Sequence, residues 1–403
     1  MGKHHSDEKS SKKGIKIFLV ILLLIIIGIG AFLGWKYANS KKTIEVNTNI
    51  AEQAPEENTQ EPEPEKTIQI FKGTDRPIAC MIDNHSDAWP QFSISKAYTV
   101  YEIIVEGGET RLMAVFKGAD ADKVGPMRSS RHYFLDYALE NDAIYAHIGW
   151  SPQAQSDIKK LGINNVNGLE YDTGKAWKAG DVFWRISGKY KAPHNSICDL
   201  ATIKTTAESK GYRTTSNQKS VLNYVTDEIE LDKKYQNISS STEKTAESDR
   251  QSTMSAINVV DPVTLEEKTD AISATDVTIP FSTLQKVNFK YDATTQTYTR
   301  YARNKLQTDA TTESNITTKN IIITKVDNYT LNDGSGKGRQ DIKNIGTKEG
   351  YYITNGKAIP ITCTKESRSA QTVYKDSQGN EIQVNDGNTF IEICPTNANL
   401  TIQ

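Results

Sequence analysis

Cysteine is scarce in this sequence, whose 403 residues include four cysteines that lie far apart. No two of them form a CxxC pair, which excludes a zinc ribbon and a thioredoxin-type redox site. We interpret Cys80 and Cys198 as packing residues. Cys363 and Cys394 occupy similar strand-like contexts, where they could form a disulfide in an oxidising compartment or stay as buried thiols.

The common enzyme signatures are missing as well. The sequence contains no P-loop, no dinucleotide-binding glycine fingerprint, no GxSxG elbow and no HExxH helix, so no cofactor is expected. His85 lies close to Asp83, but without a second spaced set of ligands we predict no metal site. The net charge of -2 lacks the basic footprint of nucleic-acid-binding proteins, so no nucleic-acid partner is expected.

A long uncharged run (IFLVILLLIIIGIGAFLGW) occupies residues 17–35. As a helix rising about 1.5 Å per residue, it would approach the roughly 30 Å hydrocarbon thickness of a bilayer. A cleaved signal peptide is the rival interpretation, but its apolar core is shorter, about 7 to 15 residues, and ends at a small-residue site. We therefore predict an uncleaved transmembrane helix that anchors the chain in the cell membrane as a single span.

Lysines set the predicted orientation of this span. More of them lie in residues 1–16 than just after the span, and the positive-inside bias places that tail in the cytoplasm. Everything after the span then lies outside the membrane. Residues 36–66 are rich in Glu, Gln and Pro and poor in large apolar side chains, which predicts a disordered stalk.

The rest of the sequence divides into three segments. Residues 67–206 alternate strand-like and helix-like runs, which is typical of an α/β or α+β domain. Residues 207–275 contain a long polar stretch and predict a linker or flexible insertion. Residues 276–403 are rich in Thr, Asn, Tyr and Ile with turns such as Asn355-Gly356, and predict a β-rich second domain.

Two helices of the first domain carry clear start signals. One is predicted to begin with Ser129 or Ser130 as its N-cap and to bury an apolar face. The other has Ser151 as N-cap, Pro152 at the first helical position and Gly162 just past its end.

Arg128 and Arg131 lie on either side of the first helix start. Free backbone N–H groups at a helix N-terminus favour an anion, and guanidinium groups would complete a site for a carboxylate or phosphate that includes Ser129. The alternative is that the serine only caps the helix while the arginines form structural salt bridges with nearby glutamates.

The second helix start supplies further candidates. His147 ends a strand shortly before Ser151, at the position where open α/β sheets usually bind ligands. A hydrogen-bonded structural histidine is the alternative. His194 and Asn195 follow Pro193 in a segment that suits either a ligand contact or a simple turn.

The VEGGETR segment brings Glu106, Glu109 and Arg111 to one turn. Two carboxylates can act as general acid and base when their environments separate their pKa values. A solvated hairpin with local ion pairs is the simpler interpretation. The predicted ligand-binding residues are Arg111, Arg128, Ser129, Arg131, His147, Ser151, His194 and Asn195.

Several segments resemble, in the same order, the motifs of the YerB-like envelope proteins of Gram-positive bacteria. They are RPIACMIDNH, YEIIVEGGETRLMAVF, KVGPMRSSRHYFLDYA, DAIYAHIGWSPQA and KAPHNSICD, and GYYITNGKAIPITCTKESRSAQTVYKDSQGNEI resembles that family's second domain. The resemblance implies a Gram-positive source and an envelope location. The family is itself a domain of unknown function, so the resemblance implies no reaction. Many members resemble lipoproteins with a lipobox cysteine, whereas this chain has no cysteine before Cys80, so we expect the peptide span to be its anchor.

Three functions fit these features. The first is a non-catalytic envelope module whose arginines and His147 bind an anionic ligand, such as a wall polymer, a peptide carboxylate or a partner protein. The second is a cell-wall hydrolase or lytic transglycosylase that uses Glu106 or Glu109 as acid/base. The third is a scaffold for envelope synthesis or division that contacts its partners through the β-rich domain.

Overall fold

The computed structural model of the protein describes residues 66–171, 180–235 and 271–403. They belong to one compact unit, Glu65–Gln403. The predicted cytoplasmic tail, the predicted transmembrane helix, nearly all of the predicted stalk and the middle of the predicted insertion lie outside the described residues. Within the described ranges, no helix is both long and apolar enough to span a bilayer.

The first region, up to residue 235, mixes helices and strands, as predicted. Its α-helices include α1 (Phe134–Glu140), α2 (Pro152–Lys160) and α3 (Leu200–Ser209). Its strands are β1 (Ile78–Asp83), β2 (Thr99–Ile104), β3 (Thr110–Phe116), β4 (Ile144–His147), β5 (Asn165–Asn167), β6 (Phe183–Arg185), β7 (Ser196–Cys198) and β8 (Tyr224–Val225).

The second region, from residue 271, consists mainly of strands and turns, so the β-rich prediction is confirmed. Its strands are β9 (Ile272–Ser273), β10 (Asp276–Pro280), β11 (Lys286–Asp292), β12 (Thr297–Ala302), β13 (Lys305–Leu306), β14 (Thr317–Thr318), β15 (Asn320–Val326), β16 (Asn328–Thr330), β17 (Gln340–Ile342), β18 (Gly346–Thr354), β19 (Lys357–Lys365), β20 (Val373–Lys375), β21 (Val384–Asn385), β22 (Thr389–Pro395) and β23 (Thr401–Ile402).

Both regions contribute strands to one large sheet. Its order is β20-β19-β18-β15-β22-β2-β3-β1-β4-β5, with β9 paired to β19. β2 of the first region and β22 of the second run parallel, and their register places Glu102 opposite Glu392. The regions are therefore joined by backbone hydrogen bonds. The predicted domain boundaries at residues 206 and 276 stay a prediction.

The central strands of this sheet are buried on both faces. Side chains alternate along β1, so that Cys80 packs into the core on one face and Met81 into the core on the other. A smaller sheet, in the order β13-β12-β11-β10-β23 with β14 beside β12, supplies side chains such as Phe289 to the first core. Helix α1 covers the second core with side chains such as Phe134. This double cover explains why the strands are apolar in runs rather than in alternation.

The four cysteines are free and buried. Cys80 and Cys198 lie in the same core, which confirms that they are packing residues. Cys394 belongs to that core as well, whereas Cys363 belongs to the core on the opposite face of the large sheet. The disulfide alternative for Cys363 and Cys394 is therefore wrong, because the sheet itself separates the two thiols.

Two short signals were predicted correctly. The side chain of Ser151 caps α2, with Pro152 in its first turn and Gly162 just beyond its end at φ 63°. Asn355 and Gly356 join β18 to β19 with φ of 50° and 72°. Positive φ at both central residues is what a tight hairpin of this type requires.

The first helix begins later than predicted. α1 starts at Phe134 with Tyr133 as its N-cap, so neither Ser129 nor Ser130 caps it. The backbone N–H of Ser130 instead donates to the carbonyl oxygen of Gly149, which ties this segment to the loop after β4. The predicted N-cap is wrong. Because α1 begins at Phe134, its first N–H groups do not lie at Ser129 and Ser130, between the two arginines.

Candidate functional site

Asp83, the last residue of β1, joins three parts of the chain. It is 3% exposed, and its Oδ2 lies 2.7 Å from Nδ1 of His194 and 3.1 Å from Nε of Arg128. Its other oxygen accepts the backbone N–H of His85 at 3.0 Å. A buried carboxylate requires such donors and cations. Asp83 thereby brings two of the predicted ligand-binding residues, Arg128 and His194, to one place.

Arg111 lies beside this carboxylate on β3, which pairs Arg111 with Asp83 in register. It is 7% exposed, and its Nη1 donates to the carbonyl oxygen of Ser129 at 2.5 Å. Burial and then the positive charge of Arg131 lower the pKa of Arg111 to about 9. The negative charges of Glu106 and Asp83 offset this shift only in part, so an added anion would further stabilise the guanidinium of Arg111.

Arg131 holds Glu106 through two parallel hydrogen bonds. Its Nε lies 2.6 Å from Oε1 and its Nη2 lies 2.9 Å from Oε2 of that glutamate. Burial by itself would raise the pKa of Glu106, but the hydrogen bond and charge of Arg131 outweigh it and the pKa lies below its usual value. Glu106 is therefore an ionised partner of an arginine, as the salt-bridge alternative expected.

Arg128 has the least satisfied guanidinium of the three. Its side chain is 25% exposed, and its buried Nε makes no hydrogen bond within the described residues, although it forms the ion pair with Asp83. We call Arg111, Arg128 and Arg131 the arginine cluster. Its three positive charges face the two carboxylates Asp83 and Glu106, which leaves one positive charge in excess.

His147 lies outside any ligand-facing surface. It is fully buried at the end of β4, with Nδ1 2.8 Å from the carbonyl oxygen of Gly149 and Nε2 3.3 Å from Oδ1 of Asn165. Burial lowers its pKa to about 4, so the imidazole is neutral at pH 7. Ser151 is 2% exposed and accepts the N–H of Ala154 as a helix cap. Both side chains serve the fold.

Glu109 and Asn195 also have structural partners. Glu109 forms an ion pair with Arg303, a residue from the smaller sheet. Asn195 accepts a hydrogen bond from Nη1 of Arg185 at 2.8 Å and donates to the carbonyl oxygen of Ile186 at 2.9 Å, which closes the hairpin of β6 and β7. Asn195 therefore stabilises a turn, which was the alternative to a ligand contact.

Two features of this region could not be predicted from the sequence. Asp83 bonds to His194 although 111 residues separate them, and the rings of His85 and His194 stack with centroids 4.6 Å apart. Only His85 and Asp83 are neighbours along the chain. Because the other contacts arise from long-range pairing, no local spacing could have revealed them.

Sequence profiles of one family match both regions of the chain. The one described as "Protein of unknown function (DUF3048) N-terminal domain" matches residues 64–213, and that of its C-terminal domain matches residues 277–391. The chain belongs to the DUF3048 family. The arginine cluster lies in the DUF3048 N-terminal domain, and β22, which joins that domain's sheet, begins in the C-terminal one.

A curated DUF3048 relative supports the same assignment. The Bacillus subtilis (strain 168) protein named "Putative lipoprotein YerB" is 27% identical over 328 residues, which is 79% of this chain and 81% of the relative. The crystal structure of YerB protein from Bacillus subtilis matches with a TM-score of 0.63 at 26% identity, over 81% of this chain and 94% of that chain. The resemblance to the YerB-like proteins is confirmed, and it carries no activity with it.

Proposed function

We propose that this DUF3048 protein is anchored in the cell membrane by residues 17–35 and exposes its folded unit outside the cell. The uncharged run and the preceding lysines support this topology. The word "lipoprotein" in the name of the Bacillus subtilis relative supports a membrane-attached envelope protein. In this proposal the anchor is the uncharged run itself.

We further propose that the arginine cluster binds an anionic ligand of the envelope, a carboxylate or phosphate group of a wall polymer or of a partner protein. One observation carries this proposal: Arg128 is one quarter exposed and is held by the ion pair of its buried Nε with Asp83, while its two Nη groups make no hydrogen bond with the described residues. A planar guanidinium with free N–H groups can bind an anion with two oxygens, such as a carboxylate, through two parallel hydrogen bonds.

The hydrolase alternative has weaker support. A general acid needs a carboxyl group that stays protonated near neutral pH. The pKa of Glu106 is shifted the other way, because Arg131 outweighs the effect of burial. Glu109 is engaged by Arg303. The carboxylates of this turn therefore act as anchors for arginines, which favours binding over acid–base chemistry.

Binding of the full-length protein, purified in detergent, to cell-wall fragments tests the anion site. Arg128→Ala with Arg131→Ala is expected to weaken binding roughly tenfold or more, because two charge-assisted contacts are lost. Binding of the unmodified protein should also weaken as salt rises. The bound fraction after co-sedimentation measures both effects.

A matched control removes the same charge elsewhere. Arg213 and Lys233 are 54% and 73% exposed, and Arg213→Ala with Lys233→Ala should leave wall binding within about twofold of the unmodified protein, since exposed charges contribute little. Equal binding by the arginine-cluster variant and this control variant would show that the cluster is not the ligand site.

A further inference from the structure

Two histidines and an aspartate meet beside the end of β1. His85 and Asp87 lie in the short turn after β1, and His194 lies just before β7. One nitrogen or oxygen atom from each of the three side chains lies within 4.8 Å of the other two. Imidazole nitrogen and carboxylate oxygen are ligand atoms that Zn²⁺ and similar ions take in proteins.

The spacing of one pair in this trio is close to what an ion requires. Nδ1 of His85 lies 3.7 Å from Oδ2 of Asp87, and two ligands about 2.1 Å from a tetrahedral ion lie roughly 3.4 Å apart. Nδ1 is the unprotonated nitrogen and accepts the backbone N–H of Asp87 at 3.2 Å, so an ion bound at Nδ1 would replace that hydrogen bond. The Asp87 side chain is 67% exposed, so it can rotate to bring its carboxylate closer to Nδ1 of His85.

His194 is oriented by a buried carboxylate. Its Nδ1 lies 2.7 Å from Oδ2 of Asp83, which is 3% exposed and accepts that proton. The proton on Nδ1 leaves the lone pair on Nε2, the nitrogen available to an ion. A carboxylate that fixes the tautomer of a histidine in this way is the usual outer support of a metal-binding histidine. The ring of His85 stacks face to face on that of His194 with an interplanar angle of 22°, so the part-exposed His85 ring must turn before both imidazoles point at one ion.

Carboxylates lie close to both imidazoles of the trio. Three carboxylates, Asp83, Asp87 and Glu109, lie around the two imidazoles, with Nε2 of His85 3.9 Å from Oε1 of Glu109. The two guanidinium groups paired with them belong to Arg128 and Arg303. Arg111 also lies beside Asp83, so these three carboxylates face three guanidinium groups and a divalent ion would be held by its ligand atoms rather than by a net negative charge.

We propose that His85, Asp87 and His194 bind a divalent transition-metal ion of the Zn²⁺ class. Three protein ligands leave a coordination position open to water. The His85 and Asp87 side chains are 35% and 67% exposed, which gives an ion a path from solvent. The three ligand residues are not members of the arginine cluster, so the test below does not depend on anion binding there, although Asp83 contacts both His194 and Arg128.

Titration of the full-length protein in detergent with Co²⁺ tests this site. His4→Ala and His5→Ala are introduced into every sample, so that the N-terminal histidines do not bind the probe. We expect one saturable equivalent with the visible absorption of a tetrahedral Co²⁺ ion, displaced by Zn²⁺. His85→Ala with His194→Ala should abolish the absorption, and Asp87→Asn should weaken binding at least tenfold.

His132→Ala is the matched control, because His132 is also paired with a carboxylate, Asp341, but lies outside the trio. It should bind Co²⁺ as tightly as the parent protein. The Asp87→Asn variant separates loss of a ligand from misfolding, since Asp87 is exposed and its replacement leaves the Asp83 contacts in place. Absence of a saturable equivalent, or equal binding by all variants, would overturn the proposal.

Discussion

Arg300→Met is expected to lower the free energy of unfolding by about 3–5 kcal/mol, because it leaves a buried charge without its partner. The Arg300 side chain is 1% exposed, and its Nη2 lies 2.5 Å from Oε2 of Glu102, which is itself fully buried. This ion pair connects β12 of the smaller sheet to β2 of the large sheet. Urea unfolding of residues 65–403, the compact unit, measures the loss.

Two comparisons identify the cause of that loss. Arg213→Met breaks an exposed ion pair with Asp142 and should cost no more than about 1 kcal/mol. Arg300→Met combined with Glu102→Gln should recover part of the stability, since the uncompensated charge is gone. A loss for Arg300→Met no larger than that for Arg213→Met would mean that the buried pair does not hold the two sheets together.

Glu392→Gln is expected to flatten the dependence of stability on pH. Glu392 is fully buried, and neither of its carboxyl oxygens has a hydrogen-bond partner within the described residues. Burial, followed by the charge of Glu102, raises its pKa well above the usual value, and Arg300 offsets this only in part. The folded protein therefore keeps this carboxyl group protonated at a pH where the unfolded chain has released the proton.

The sign of the effect follows from this difference. The stabilisation is complete below the unfolded pKa of Glu392 and is lost as pH rises toward the raised folded value. Within that window the group lowers the free energy of unfolding by up to about 1.4 kcal/mol per pH unit. Gln carries no proton to lose, so the variant should be the more stable protein at the alkaline end of the window.

Urea unfolding of the 65–403 unit at a series of pH values from mildly acidic to mildly alkaline measures this slope. Glu366→Gln is the control, because Glu366 is exposed and its replacement should leave the slope of the parent protein unchanged. Parallel pH curves for the parent protein and Glu392→Gln would show that the buried carboxyl group titrates with an ordinary pKa.

Features of the fold that depend on neighbouring residues could be predicted from the sequence. Helix α2 is the clearest case, since Ser151, Pro152 and Gly162 act within one or two turns. The start of α1 was predicted wrongly because the backbone of Ser130 bonds to Gly149, which a local pattern does not reveal. The pairing of β2 with β22, nearly 300 residues apart, was beyond sequence reasoning for the same reason.

Residues of the candidate site could likewise be predicted to lie together only where they are close in the sequence. Arg128 and Arg131 share one short segment, so their proximity was predictable. Arg111 joins them because it and Arg131 both donate to the carbonyl oxygen of Ser129. His147 has the sequence context of a ligand-binding residue, but the fold buries it completely. Its burial depends on packing by distant segments, which the sequence pattern does not show. His194 reaches Asp83 from a distant segment, so no sequence pattern brings His194 together with His85 and Asp87.

The claim that a wall ligand reaches the arginine cluster depends on the folded unit lying outside the membrane. Trypsin added to wall-stripped but intact cells tests this directly, because the predicted stalk contains Lys41 and Lys42 as cleavage sites. The expected result is release of the folded unit from intact cells while a cytoplasmic marker protein stays whole. Protection of the unit in intact cells, with cleavage only after lysis, would contradict the account.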